Sequence, residues 1–245
     1  MNTLSLLQTP DGNILSVAAS LDEQYGFIFK YTREGDSIEK IPCKPPIFGL
    51  AYFDKRVIVS SMKSRFSCFV EIVNSNLIMG DTKVKGYVFG MSTYDNDTYI
   101  AMALRGKGIM IFDREWKVIM DIPIVIESLA YIHIRENQLF YSDFIDHYLY
   151  CLDFDGNQVW KCSFPDMKGP RNICSDMYGN IYVAALDSNA VCVISSDGCK
   201  CRQILDSSNG MNEPKAIYFN KETSRLIVAN RTGTLFICSV VYQTQ

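Results

Sequence analysis

The chain of 245 residues is built from a repeat, and the repeat limits what it can fold into. Residues 170–185, 214–230 and 48–60 each run a short apolar stretch, a polar turn and a stronger stretch rich in Val, Ile, Tyr and Phe. Weaker copies occupy 4–18, 89–103 and 127–142. Taking Ser5, Gly49, Gly90, Ser128, Asn172 and Lys215 as equivalent positions, the spacings are 44, 41, 38, 44 and 43 residues. Within a unit, two further apolar runs flank turns such as Glu34-Gly35, Asp155-Gly156 and Asp197-Gly198, which are hairpin signals.

Four short strands in about 42 residues is one β-propeller blade. The expected fold is therefore all-β: a six-bladed β-propeller of four-stranded antiparallel blades, a single domain over residues 1–245 with almost no helix. A helical solenoid is the rival, and 115–122 alone reads as a helix. Turns recurring about every ten residues and the β-branched composition argue against it. The last unit is short. Residues 215–245 hold three strands but not a comfortable fourth, and only four residues precede Ser5 to supply one from the other end. The expectation is a weak seam, or a chain that is the C-terminal part of something longer.

Composition excludes several classes. Hydrophobic residues make up 48% and charged residues 21%, which suits an ordinary globular chain rather than a disordered one. The formal net charge of −3 argues against a surface coated with basic residues, and DNA is not an expected partner. No apolar run is long enough for a membrane span, and Met1 to Ser5 lack a basic leader. Nine cysteines with no secretion signal read as free thiols in a reducing cytoplasm. Cys199 and Cys201 are too little for a zinc site, and Cys151, Cys192 and Cys238 lie in apolar runs as small hydrophobes.

Five segments carry a family likeness: 104–113 (Leu-Arg-Gly-Lys-Gly-Ile-Met-Ile-Phe-Asp), 152–160, 178–183, 188–198 and 225–230. Through them the chain resembles the C-terminal NHL-like propeller of invertebrate tripartite-motif (TRIM) proteins, clearly over residues 85–240 and in the first two blades only through the repeat. The Asn-His-Leu tripeptide itself is absent. In that family a RING, B-boxes and a coiled coil precede the propeller, and the propeller recognises protein or RNA targets for a ubiquitin ligase. None of the zinc-ligand spacing of RING or B-box occurs here. The resemblance implies a non-enzymatic recognition module without cofactor, binding a protein or peptide partner on one ring face.

Catalytic readings are weaker. The two histidines are His133, in an early strand, and His147, in a turn four residues after Asp143. An Asp–His pair can serve as a general base, yet no nucleophile accompanies it. Nucleophile-elbow, phosphate-loop and zinc-protease motifs are absent. A second alternative is a cation-dependent, gluconolactonase-like propeller hydrolase with Glu127, Asn172 and Glu213 as oxygen donors.

The turns between second and third strands, with the connections between blades, form one ring face. It gathers most of the clustered bases, while the other face is strongly acidic. The expected partner site is Lys63, Arg65, Arg105, Lys107, Arg171, Lys215 and Arg231, with Phe144, Ile145 and Met62 giving apolar area and His147 beside them. Mixed charge favours a protein or peptide. Single-stranded RNA is the alternative, calling for a more basic face with stacking aromatics.

Overall fold

The computed structural model describes residues 2–20, 24–61, 66–73, 76–94, 98–126 and 131–242. Blade 1 is β1 Asn2–Gln8, β2 Ile14–Ala19, β3 Gly26–Tyr31 and β4 Ser37–Cys43. Blade 2 is β5 Gly49–Phe53, β6 Arg56–Ser61, β7 Phe66–Val73 and β8 Asn76–Lys85. Blade 3 is β9 Val88–Tyr94, β10 Tyr99–Leu104, β11 Gly108–Phe112 and β12 Val118–Ile122. Blade 4 is β13 Ile132–Arg135, β14 Gln138–Asp143, β15 Tyr148–Leu152 and β16 Gln158–Cys162. Blade 5 is β17 Pro170–Ser175, β18 Ile181–Ala185, β19 Ala190–Ile194 and β20 Cys201–Leu205. Blade 6 has β21 Pro214–Asn220, β22 Arg225–Asn230 and β23 Leu235–Ser239 alone. All six sheets are antiparallel meanders, so the fold is the expected propeller and its last blade has three strands among the described residues. Among the described residues the one helical turn is 3-10, Ser207–Asn209, and residues 118–122 form a strand rather than a helix.

The ring follows from burial on both faces of each sheet. In β10, Ile100, Met102 and Leu104 pack toward blade 2, while Ala101 and Ala103 pack toward blade 4. A blade alone would leave both sets wet, so it must stack on two neighbours. The innermost strands meet in the order β1, β5, β9, β13, β17, β21, and β21 returns to β1. At that seam the buried cluster is small: Leu6, Ile14, Ala216, Ile227 and Ala229. An Asn220 Nδ2 to Gln8 Oε1 bond of 2.6 Å supplements it.

The innermost strands β1, β9, β17 and β21 carry a bulge near their starts, which corrects the repeat alignment. Ser5, Gly49 and Gly90 pair with Val17, Ser60 and Ala103. In blade 6 the residue so paired is Ala216, with Ala229; Lys215 sits one position earlier, in the bulge. Ser128 lies outside the described residues.

The polar turns serve the backbone. Asp153 Oδ1 accepts from Asn157 N at 2.8 Å and Asp113 Oδ1 from Lys117 N at 2.9 Å. Much of the acidic face is thus turn chemistry. Asp176 is fully buried and accepts from the Tyr178 and Asn180 amides, the Asn180 side chain and the hydroxyls of Tyr182 and Tyr242. Through Tyr242 the segment after β23 is tied back to blade 5.

Candidate functional site

Each innermost strand starts at the ring face formed by the second-to-third-strand turns. The bulge residues there are Leu4 and Phe89 in blades 1 and 3 and Arg171 and Lys215 in blades 5 and 6, with Phe48 just before β5 in blade 2, all buried. Tyr131, just before β13, sends its hydroxyl to the Leu4 carbonyl at 3.2 Å. Blades 4 and 1 lie opposite each other, so this phenol bridges the axis. Burial pushes its pKa up, keeping it neutral.

Beneath that bridge lies an axial cavity of about 580 Å³. Its wall includes Ser5, Gly49, Gly90, Ser92, His133 and Ser175, and it reaches the first-to-second-strand turns of blades 1 and 6 at Thr9, Gly12, Lys221 and Glu222. Phe48, Phe89 and Tyr131, near the other face, line it as well, so the cavity runs along the axis. His133 Nε2 lies 2.8 Å from Ser175 Oγ. Burial pushes the imidazole pKa down to about 3, helped by Lys221 and Arg135, so His133 is neutral. Ser5 Oγ accepts from Leu50 N at 3.2 Å and Ser92 Oγ from Ile134 N at 3.0 Å, linking neighbouring blades.

The expected partner residues divide into two groups. Arg105 and Lys107 are exposed on the blade 3 turn, Arg105 lying 5.7 Å from the Tyr87 ring centroid. Phe144, His147, Arg171 and Arg231 gather on blades 4 to 6 with Asp187 and Glu213. The Arg171 guanidinium lies 3.5 Å from the Phe144 ring centroid, and Arg231 Nη1 meets both Glu213 oxygens at 3.0 and 3.2 Å. Arg171 is 8% exposed, and its Nε and Nη1 have no hydrogen-bond partner among the described residues. Burial pulls its pKa down, opposed by Tyr131 and Asp187 and reinforced by Arg231. Lys63, Arg65 and Met62 lie outside the described residues.

His147 lies in the turn where the sequence places it. It holds a left-handed turn at φ 61°, and its Nδ1 accepts from Gly169 N at 3.0 Å. Asp143 Oδ1 accepts from the Ile145 and Asp146 amides. Both side chains shape turns, and they form no dyad. Of the proposed cation donors, Asn172 lines the cavity, Glu213 is paired with Arg231, and Glu127 lies outside the described residues. Among the described residues no three His, Cys, Asp or Glu side chains are grouped to hold a metal ion. No helix among them is long and apolar enough to cross a membrane.

No family model and no curated protein sequence matches the chain. Solved structures match its fold. A Bacteroides thetaiotaomicron protein of unknown function aligns with TM-score 0.75 and 11% identity, over 96% of this chain and 68% of that one. A streptogramin B lyase aligns at 0.62 and 12%, over 99% and 84%. A catalytically inactive virginiamycin B lyase from Staphylococcus aureus with quinupristin aligns at 0.62 and 13%, over 97% and 84%. At such identities the likeness is one of fold.

Proposed function

We propose that the chain is a non-enzymatic recognition module, of the NHL-like kind its repeats resemble, that docks a protein or peptide on the ring face of the second-to-third-strand turns. The observation that supports this most is the Tyr131–Leu4 bridge. This end of the ring has a phenol standing across its axis. It offers exposed bases at Arg105 and Lys107 and apolar area at Phe144 and Ile145, the latter 65% exposed. Mixed charge with apolar patches suits a protein surface.

The test is cross-linking of the purified chain in extract of its source cells, followed by peptide mapping, with an Arg105→Glu/Lys107→Glu variant alongside. The reading expects one protein cross-linked near these turns and lost from the variant. Micromolar binding of random single-stranded RNA with steep salt dependence would replace the protein with RNA. Binding of neither would end the reading.

A second reading places an enzymatic site in the axial cavity, favoured by the His133–Ser175 contact, in which a neutral imidazole faces a hydroxyl. No Asp or Glu side chain orients His133 among the hydrogen bonds of the described residues. Labelling of Ser175 by a fluorophosphonate, abolished in His133→Gln, would establish this reading over the first.

A further inference from the structure

We propose that the outer edge of β23 docks an extended, acidic segment of a partner protein, which adds to blade 6 as its fourth strand. The site lies on the rim of the ring between blades 5 and 1, away from the face assigned above, and stands apart from that reading.

The edge is open. Blades 1 to 5 each end in a fourth strand, whereas blade 6 ends in β23 among the described residues. Asn230 N donates to the Thr234 carbonyl and Val240 N to the Ser224 carbonyl, at the two ends of the β22–β23 ladder. Backbone polar groups alternate along an antiparallel pair. Those of Phe236 and Cys238 therefore face β22, and those of Leu235, Ile237 and Ser239 point outward. Beyond Ser239 the chain heads for blade 5, where Tyr242 meets Asp176. The third strands β11, β15 and β19 bury most of their residues, and β23 buries none.

The edge is also unguarded. Natural sheet edges are blunted by charge or proline. The outermost strands of blades 1 to 5 each carry a charged side chain, among them Lys40, Asp121, Lys161 and Arg202. The sequence of β23, Leu-Phe-Ile-Cys-Ser, carries none. A bare apolar edge is a template for another strand.

The walls of the gap select the occupant. Tyr31 packs with Leu235 and Ile237, so the face of β3 that holds Phe27, Phe29 and Tyr31 is turned toward blade 6. These rings form a row with centroids 6.1 and 6.3 Å apart. Lys40, opposite Phe29, holds its Nζ 4.0 Å from the Phe27 ring centroid. On the other wall Val193 packs with the cluster between blades 5 and 6, and Arg202 stands opposite it in β20. Of the charged residues in β3, β4, β19 and β20, these two cations face blade 6. Lys30 and Glu39 pair on the face turned to blade 2. Neither Lys40 nor Arg202 is in an ion pair among the described residues. An acidic strand meets both, whereas the uncharged β23 of a second copy would give them no counter-charge. Ile41 and Ile122, in the fourth strands of blades 1 and 3, supply the rest of the pattern: an apolar side chain buried against the following blade. In blade 6 that side chain lies on the row of Phe27 and Phe29.

The test uses the full chain labelled with ¹⁵N and three pools of acetylated, amidated heptapeptides. One pool has Val, Ile or Thr throughout except for two Glu, one has two Lys in their place, and one is the Glu pool with a central Pro. Glu pools are expected to move the Leu235, Ile237 and Ser239 amide signals saturably and to slow their hydrogen exchange. Lys and proline pools are expected to bind about 10-fold more weakly or worse. A Lys40→Glu/Arg202→Glu variant is expected to reverse the preference between Glu and Lys pools. Ile237→Pro, which removes an outward N–H, is expected to abolish binding.

Outward amides of β23 that Glu pools leave unmoved, or that exchange slowly before any peptide is added, overturn the inference. Equal binding of Glu and Lys pools rejects the acidic occupant. Protection of these amides that grows with protein concentration, with a dimer mass in sedimentation, assigns the edge to a second copy and rejects it as well. If Ile237→Pro does not fold, the charge variant still decides, and an unchanged preference rejects the proposal. Moved β23 signals with nothing cross-linked near Arg105 and Lys107 would end the recognition reading and uphold this one.

Discussion

Blades 1 to 3 and blades 4 to 6 solve the same packing problem with different chemistry. In the first half, the axial end is filled by Leu4, Phe48 and Phe89, and Ser5 and Ser92 tie strand to strand through backbone amides. In the second half the corresponding region holds Arg171 and Lys215, His133 bonds Ser175 across blades, and Asp176 gathers amides and hydroxyls from blade 5 and the C-terminal segment. The backbone is the same meander in both. Apolar side chains fill this region in the first half, and hydrogen-bonded polar ones take part in it in the second.

The largest expected effect probes the Asp176 hub. Asp176→Ala leaves buried donors of blade 5 and Tyr242 without their acceptor and should cost about 3 to 5 kcal/mol, read from urea midpoints. A loss below about 1 kcal/mol would mean that the polar half is not held by its buried network. Next comes an exchange of chemistry. Phe89→Lys places a cation in the apolar half with no counter-charge arranged for it, and should cost about 3 kcal/mol. If that protein melts like the parent, the bulge tolerates charge in any blade and the contrast loses its meaning.

His133 sharpens the comparison through pH. Folded, its pKa is about 3; unfolded, it returns to about 6.5. The unfolded chain therefore binds the extra proton in mild acid, and stability falls as pH drops from about 6.5 toward 3. Between pH 7 and pH 5 this group should remove about 2 kcal/mol, a dependence absent from His133→Gln. Equal slopes for both proteins would show that cavity solvent reaches the ring. The smallest effect concerns Tyr242, whose hydroxyl lies 3.1 Å from Asp176 Oδ2. Tyr242→Phe should cost about 1 kcal/mol, with faster amide exchange confined to blade 6.

Much of this architecture was legible in the residues. Runs such as 181–185 and 225–230, set between Asp, Asn and Gly turns, specify short strands, and their period specifies blades. The three-stranded last blade followed from the residues remaining after Lys215. The bulge was not legible, because it moves the paired residue from Lys215 to Ala216 without changing the apolar pattern. That His147 sits in a turn was legible; that its Nδ1 accepts from Gly169 N was not, because this partner lies in the connection to the next blade. The axial cavity was missed although a signal existed. Ser5, Gly49, Gly90, Ser92 and Ser175 are small where a packed core would want bulk, but only the closed ring shows that they face one another across an axis.

The phenol of Tyr131 has one more implication. A ring with an open axis lets solutes pass from face to face; here a phenol held to the opposite blade stands in that path. A solute entering among the first-to-second-strand turns, near Arg33 and Lys221, meets that phenol at the far end of the cavity.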